Sequence, residues 1–469
     1  MHRAPLLAIL LVLVTPSAAF AGTAVLTETT NAVGGRDSLV TYSALPGERN
    51  VITMTRGSTA GTFEQVTIRD DGALVVPGAG CTPLDPNMVR CAAQPYVNNG
   101  FEQQSTPAVV LDAGDADDVV RTGRGYSTSS VYALGGAGAD VVTGGGNLDG
   151  GPGDDVVTST SETGEVCEKG CGTPTDIVAG GPGNDRLRGG AGNDLLIGDG
   201  DSATSPDPGG GNDDIDGGPG SDAVNYQQRR APLRIDLAGG PSGAAGELDR
   251  VAGIESVTGG SGPDVLLGDD GPNVLDGGAG DDTLDGRGGN DLLDGRDGAD
   301  ILLGRAGNDE LAGGQGNDVL YGGPGDDVLS SPIGAPSPLH CGSGHDDVNA
   351  PQGQLLSGCE RVRLGDLWVQ GPRRLRNGRL RTVLECRAGM RCEFVVKVRR
   401  QSAALVRRSI TIPSGRARTV DLRPRARVRA GQEVDVAISG RLVVSEGTNG
   451  GFPTAGSNPL GGRWRVRLR

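Results

Sequence analysis

From Gly259 to Ser330 the chain runs as eight consecutive nonamers without an insertion. The fourth place is always Gly (Gly262, Gly271, Gly280, Gly289, Gly298, Gly307, Gly316, Gly325) and the eighth always Leu (Leu266, Leu275, Leu284, Leu293, Leu302, Leu311, Leu320, Leu329). The sixth is Asp264, Asp282, Asp291, Asp300, Asp309, Asp318 or Asp327, with Asn273 the one departure. A beat so short, in fixed phase over 72 residues, is a solenoid signal: each unit repeats one local shape and buries its apolar residue only by stacking on its neighbours. The Gly-rich first six residues predict a tight turn through positive φ. The last three predict a minimal strand in which only the middle side chain, the Leu, points inward. Two nonamers then close one coil, with strands on opposite walls, and units two apart stack at the ~4.8 Å strand spacing.

Weaker copies extend the beat in both directions. AGDADDVVR, with Ala116 for the Gly, opens it; GGAGADVVT from Gly135 and GGPGDDVVT from Gly150 firm it up. It resumes as GGPGNDRLR and GGAGNDLLI from Gly180 and as PGGGNDDID and GGPGSDAVN from Pro208, and CGSGHDDVN at Cys341 reads as a last unit. Residues 159–179 and 226–258 leave the beat and are read as insertions. Before it, stretches such as Ser38–Tyr42 and Asn50–Met54 alternate like half-buried strands, and after it Phe394–Val398 and Glu433–Ala437 do the same. The expected fold is all-β: a parallel β-roll at 112–359, flanked by a small N-terminal β domain at 22–111 and a basic, β-sandwich-like C-terminal domain at 360–469. Gly at 83 of 469 residues without a three-residue period excludes collagen, and 3% aromatics excludes a large conventional core along the whole chain.

The sixth-place carboxylates stack in rows along each edge, where like charges a few ångströms apart repel. A divalent ion between successive turns reverses that sign. Two stacked carboxylates and the carbonyls that Gly leaves uncovered make an all-oxygen shell of the kind Ca²⁺ takes with six to eight ligands, whereas Mg²⁺ keeps its waters and soft metals lack their donors. The candidate ligands are Asp140, Asp155, Asp185, Asp194, Asp213, Asp222, Asp264, Asp282, Asp291, Asp300, Asp309, Asp318, Asp327 and Asp346, and several Ca²⁺ ions are expected. Asn273 costs one carboxylate and weakens the sites that use it. Residues 259–349 should be disordered in chelator and gain β-structure as Ca²⁺ rises, since one buried Leu per nine ordered residues is little apolar burial.

GGAGDDTLD, GGQGNDVLY and GGPGDDVLS match GGxGxDxUx, U being a large apolar residue, at every fixed place. The pattern resembles the RTX, or haemolysin-type, calcium-binding repeat over roughly residues 113–349 with gaps. The resemblance implies a parallel β-roll solenoid that folds on binding Ca²⁺ outside the cell. Many RTX proteins lack an N-terminal signal and carry the repeats near the C-terminus; here a signal precedes them and a basic domain follows.

That signal is MHRAPLLAILLVLVTPSAAFA: one Arg, an apolar run from Leu6 to Val14 and Ala19-Phe20-Ala21 in small-x-small form. Residues 1–21 are read as a secretory signal peptide, too short for a membrane span, and the protein as secreted and extracellular or attached at the cell surface. Eight cysteines fall in four local couples, Cys81 with Cys91, Cys167 with Cys171, Cys341 with Cys359 and Cys386 with Cys392, and in an exported chain favour neighbouring disulfides. A zinc site competes, with few histidines to support it.

No HExxH, GxSxG or GxxxxGK[ST] motif occurs, and the carboxylate pairs are explained by repetition, so no enzyme is expected. Residues 361–469 hold 25 Lys+Arg against 7 Asp+Glu, and residues 1–360 hold 18 against 52. The basic tail could bind an anionic cell-envelope polymer, which is the alternative reading: an adhesin or anchoring module with the roll as its stalk. Nucleic acid is not expected, because few aromatics accompany the Arg.

Overall fold

A computed structural model describes residues 21–30, 36–59, 63–92, 96–98, 101–103, 108–123, 131–160, 176–199, 210–331, 338–349, 355–357, 359 and the strands of the tail beyond 360. The signal segment and the Cys167–Cys171 couple lie outside these residues. The fold is all-β, strands and turns without a helix among the described residues, and so no helix there is long and apolar enough to cross a membrane.

The eight perfect nonamers form the parallel roll that their phase predicts. Leu266 pairs with Leu284, Leu284 with Leu302 and Leu302 with Leu320 along one wall; Leu275, Leu293, Leu311 and Leu329 pair in the same way along the other. The register advances by two nonamers at each step, so one coil holds two units. Every eighth-place Leu is fully buried, while the seventh-place Val274, Leu292, Ile301 and Val328 are exposed, as three-residue strands with alternating faces require.

Both walls continue beyond the repeats. Strand Arg36–Ser43 pairs parallel with Ala108–Asp112, and Val51–Thr59 with Val119–Arg121. The N-terminal strands therefore stack directly on the first coil, and antiparallel partners such as Phe63–Asp70 and Met88–Ala92 follow outside it. Cys81 and Cys91 are bonded across two of these strands. At the other end Asp347–Asn349 pairs parallel with Arg361–Leu364, and Leu355–Ser357 with Leu460–Arg467, from which two antiparallel sheets lead away. The Cys341–Cys359 disulfide, buried at both sulfurs' residues, ties the last nonamer to this transition. Covering both ends removes the exposed strand edges that an open solenoid would offer to other chains. Cys386 ends strand Leu380–Cys386 and Cys392 lies in strand Arg391–Arg400; their side chains lie outside the described residues.

Residues 226–258 stay within the coil geometry even though the beat is lost. Leu233–Asp236 pairs parallel with Val265–Leu267, Arg250–Ala252 with Asp214–Asp216, and Ser256–Thr258 with both Ala223–Asn225 and Val274–Asp276. Ile235, Val251 and Val257 take the buried place of the Leu. One wall thus carries an extra strand, Leu233–Asp236, where the other passes straight from Ser256–Thr258 to Val274–Asp276.

Candidate metal centre

The turn between strands is built from three glycine places that differ in their physical reason. Gly278, Gly314 and Gly323 at the second place and Gly280, Gly289, Gly298, Gly307, Gly316 and Gly325 at the fourth have positive φ, as the sequence leads one to expect. First-place glycines serve another purpose. A Cβ on Gly277 would lie 2.5 Å from Asp282 Oδ2 and 3.0 Å from the Gly295 carbonyl oxygen, and one on Gly304 would lie 2.5 Å from Asp309 Oδ2 and 2.8 Å from the Gly322 carbonyl oxygen. The missing side chain leaves a small space on which a carboxylate oxygen and a main-chain carbonyl of the next coil converge.

The sixth-place carboxylates do not stand at the rim of the coil. They are buried to within 2% of full coverage at Asp140, Asp155, Asp185, Asp194, Asp213, Asp222, Asp264, Asp282, Asp291, Asp300, Asp309, Asp318, Asp327 and Asp346. In each row one oxygen is committed to a ladder. Asp282 Oδ1 accepts the main-chain N–H of Asp264 at 2.8 Å, and Asp300 Oδ1 that of Asp282 at 2.9 Å. Asp309 Oδ1 accepts from Asp291 at 2.9 Å, Asp327 Oδ1 from Asp309 at 2.9 Å and Asp346 Oδ1 from Asp327 at 3.0 Å. The earlier coils repeat it, Asp155 accepting from Asp140, Asp185 from Asp155, Asp213 from Asp185 and Asp222 from Asp194. The second oxygen is left over. Oδ2 of Asp140, Asp155, Asp185, Asp194, Asp213, Asp222, Asp282, Asp291, Asp300, Asp309 and Asp327 is buried without a hydrogen-bond partner.

A row of buried, unpartnered carboxylate oxygens is costly unless a cation faces it. Among the described residues no three carboxylate, imidazole or thiolate side chains converge on one point; the further oxygen donors beside Asp282 and Asp309 Oδ2 are the main-chain carbonyls of Gly295 and Gly322. An all-oxygen donor set of this kind suits a hard, flexible-coordination ion. Two perfect units depart from it. Asp264 Oδ2 accepts the N–H of Gly260 in its own turn at 2.7 Å, and Asn273 Oδ1 accepts that of Asp269 at 2.8 Å.

An outer ladder runs the opposite way at the fifth place. Asp281 Oδ1 accepts from Ala299 N–H, Asn290 Oδ1 from Asn308, Asn308 Oδ1 from Asp326 and Asp326 Oδ1 from His345, all exposed and all at 2.8 Å. His345 is a surface turn residue of this row.

Asp118, the sixth place of the opening unit AGDADDVVR, is buried in the same role, accepting from Asn50. Other members of the rows lie outside any unit the sequence shows: Asp249 accepts from Asp213, and Glu255 replaces Asp by accepting from Asp222 at 2.8 Å. Asp176, within the 159–179 interruption, accepts from Gly146 at 2.7 Å. The signal they retain is an apolar residue two places later: Val120, Val251, Val257, Val178. Arg287, Arg296 and Arg305 occupy the second place with positive φ. Arg296 and Arg305 turn outward to ninth-place carboxylates, Arg296 bridging Asp276 at 2.6 Å and Asp294 at 3.0 Å and Arg305 meeting Asp285 at 2.8 Å, whereas Arg287 reaches Asp236 of the extra strand at 2.8 Å.

Burial raises the inner carboxyls above their ordinary value near 4, with neighbouring carboxylates adding to it and the ladder hydrogen bond opposing it. Asp155, Asp291 and Asp300 are pushed up to about 7, Asp185 to about 8 and Asp213 to about 9. Groups raised in the folded state stabilise it below their unfolded pKa and lose that contribution as pH rises through the folded one. The metal-free roll is therefore expected to be most stable near pH 4 and least stable above pH 8. Calcium, which takes the ionised form, should bind more tightly as pH rises across the same window, by about tenfold per pH unit for each proton released. Calcium titrations at pH 5, 6 and 7 measure this; a midpoint independent of pH would contradict it.

The stacked coils and their two inward carboxylate rows define a parallel β-roll with oxygen-lined turns. Residues 175–204, 258–293 and 294–329 match the family model of the RTX calcium-binding nonapeptide repeat (4 copies), so the chain carries RTX-type repeats over these stretches. A search among curated proteins gave no match.

Proposed function

We propose that this is a secreted, non-enzymatic protein whose β-roll binds several Ca²⁺ ions in its turns and folds on binding them. The observation that carries the proposal is the run of buried Oδ2 atoms without partners, those of Asp282, Asp291, Asp300, Asp309 and Asp327 each beside a first-place glycine and a carbonyl of the next coil. Asp282, Asp291, Asp300, Asp309 and Asp327 would hold the ions in the perfect units, with Asp140, Asp155, Asp185, Asp194, Asp213 and Asp222 in the earlier coils. Asp318 and Asp346 stand in the same rows, and Asp264 contributes least because its second oxygen already has a donor. Bound calcium supplies the positive charge that lets neighbouring buried carboxylates ionise together. Secretion is supported by the signal pattern at residues 1–21, by the disulfides and by the fit between extracellular calcium and modules that bind at about 10⁻⁴–10⁻³ M. The non-enzymatic part rests on the motifs of the sequence alone.

Paired substitutions test the ligand assignment. Asp291 and Asp309 are neighbours in one row, whereas Asp300 belongs to the other. D291N/D309N strips both carboxylates from one shared site, and calorimetry should find that site empty at saturation. D291N/D300N leaves one carboxylate at every site that starts with two, and the site Asn273 shares with Asp291 loses its carboxylate in both variants alike, so D291N/D300N should hold one ion more than D291N/D309N while its affinity falls about tenfold or more. Identical titration curves for the two variants would refute the row assignment. The basic tail's affinity for an anionic envelope polymer, suggested by its charge alone, is tested separately by retention of residues 360–469 on cell-wall fractions against a charge-matched control.

A further inference from the structure

One coil of the roll carries a cation of its own. Arg229 is a charged side chain only 2% exposed, deep in the stretch where the nonamer beat disappears. Its Nη1 lies 3.3 Å from Asp199 Oδ2 and its Nη2 2.5 Å from Glu247 Oε1. Asp199 in turn accepts the N–H of Gly211 at 3.1 Å, and Glu247 Oε2 accepts that of Ala244 at 2.7 Å. The guanidinium thus lies between the turn that leads to Asp213 and the turn that leads to Asp249, two consecutive members of one inner row. A Cβ on Gly210 would meet both Arg229 Nη2 and Glu247 Oε1; glycine here makes room for an ion pair, as first-place glycines elsewhere make room beside Oδ2.

The flanking units agree. On the C-terminal side Asp264 and Asn273 have their side-chain oxygens satisfied by N–H groups of their own turns, and Asn273 carries no charge. In the other row Glu255, partly exposed, stands where a buried Asp would be. Oδ2 of Asp213, Asp222 and Asp249 is buried without a hydrogen-bond partner on these coils and still asks for a cation; the feature fades only after them, at Glu255, Asp264 and Asn273, and returns at Asp282 and Asp291.

The geometry points to Arg229 as the resident cation of this joint: its guanidinium does between the turns of Asp213 and Asp249 what calcium does between the others, so that this one joint holds together without metal while Asp213 and Asp222 share ions with the coil before them. Resting on the calcium function proposed above, the assignment divides the roll into two metal-dependent arrays, one before Arg229 and one after Asn273, joined by a metal-independent seam. Arg suits the role because its charge is permanent and its planar fork can meet two carboxylates at once.

Hydrogen exchange read by mass spectrometry on the full chain, in chelator and in calcium, tests this. In chelator the strands Asp214–Asp216, Arg250–Ala252 and Ser256–Thr258 should exchange about tenfold or more slowly than those from Thr283 to Ser330. Arg229→Gln should abolish that difference in chelator, recover protection as calcium is raised, and bind one more ion than the wild type; Arg229→Lys should retain most of the difference. Wild-type exchange in chelator as fast at the seam as in the array overturns the assignment without recourse to any variant, and so does unchanged seam protection in Arg229→Gln. If instead the array from Thr283 to Ser330 stays protected in chelator, the calcium function falls, and the comparison of wild type with Arg229→Gln still decides the role of Arg229.

Discussion

Removal of calcium from the full chain should cost most of its parallel β-structure, and restoring calcium to the millimolar range should return it cooperatively. A coil unit orders nine residues and buries one leucine, and that leucine contributes about 1.5–3 kcal/mol, far below the backbone entropy lost by its unit. The structure adds a stronger reason. Asp282, Asp291, Asp300, Asp309 and Asp327 each bring a carboxylate oxygen into the coil with no donor to meet it. Near pH 7.5 and without a cation, the folded roll must either hold these groups protonated against the solution or bury their charge, and both are costly. A ligand that binds the folded form alone adds RT ln(1 + [L]/Kd) for each site, and many equivalent sites along one solenoid make the transition steep. Far-UV circular dichroism during a calcium titration should show a large gain in β signal with a sharp midpoint. A spectrum that is the same in chelator and in calcium would refute metal-coupled folding.

The second large effect is expected from a single methyl group, and it distinguishes two glycines that the sequence makes equal. Gly316 and Gly271 both occupy the fourth place. Gly316 has φ of 139°, and a Cβ there would overlap the Gly298 carbonyl oxygen of the coil before it. Gly271 has no such neighbour: the nearest atom to its Cβ position is Asp269 Oδ1 at 3.2 Å, and the strand stacked before its own unit is Ser256–Thr258, outside the regular nonamers. Gly316→Ala must therefore both strain the backbone and push two coils apart, at a cost of about 3 kcal/mol or more. Gly271→Ala should stay within about 1 kcal/mol of the wild type. Thermal unfolding of the two variants in saturating calcium measures the difference, and equal melting temperatures would show that coil contacts do not set the glycine requirement.

The nonamer phase made the coil, its two walls and the buried eighth-place Leu legible, because a period that short leaves one way to stack. It also placed the carboxylates in rows. What it did not reveal is that the rows lie inside: Asp is ordinarily a surface residue, and only the ladder from each Asp N–H to the next Oδ1 makes a buried position tolerable. Residues 226–258 looked like an excursion because Ala231 and Glu247 stand where the fourth-place Gly would be. Local turn chemistry had changed while the inward residues Ile235, Val251 and Val257 had not, and one apolar residue in nine is too thin a signal alone. The stacking of the N-terminal strands on the first coil depends on pairings between residues far apart in the chain, which a local period cannot encode.

The inner ladder has a direction. Each coil gives its N–H groups to the coil that follows and receives on its carboxylates from the coil that precedes. Shortening the roll from its C-terminal side would leave the new last coil with amides that have nothing to donate to, a neutral defect. Shortening it from the N-terminal side would leave a carboxylate oxygen stripped of its donor, which is a bare charge. The two ends thus need different closures: the last coil needs acceptors, and the first needs a donor that brings no charge of its own. Asn50 meets that need, its N–H given to Asp118 and its side-chain amide to the carbonyls of Glu48 and Ala113 at 2.9 Å. A chain that emerges N-terminus first would present this starting plate before any repeat arrives, and each new coil would find its donors already waiting.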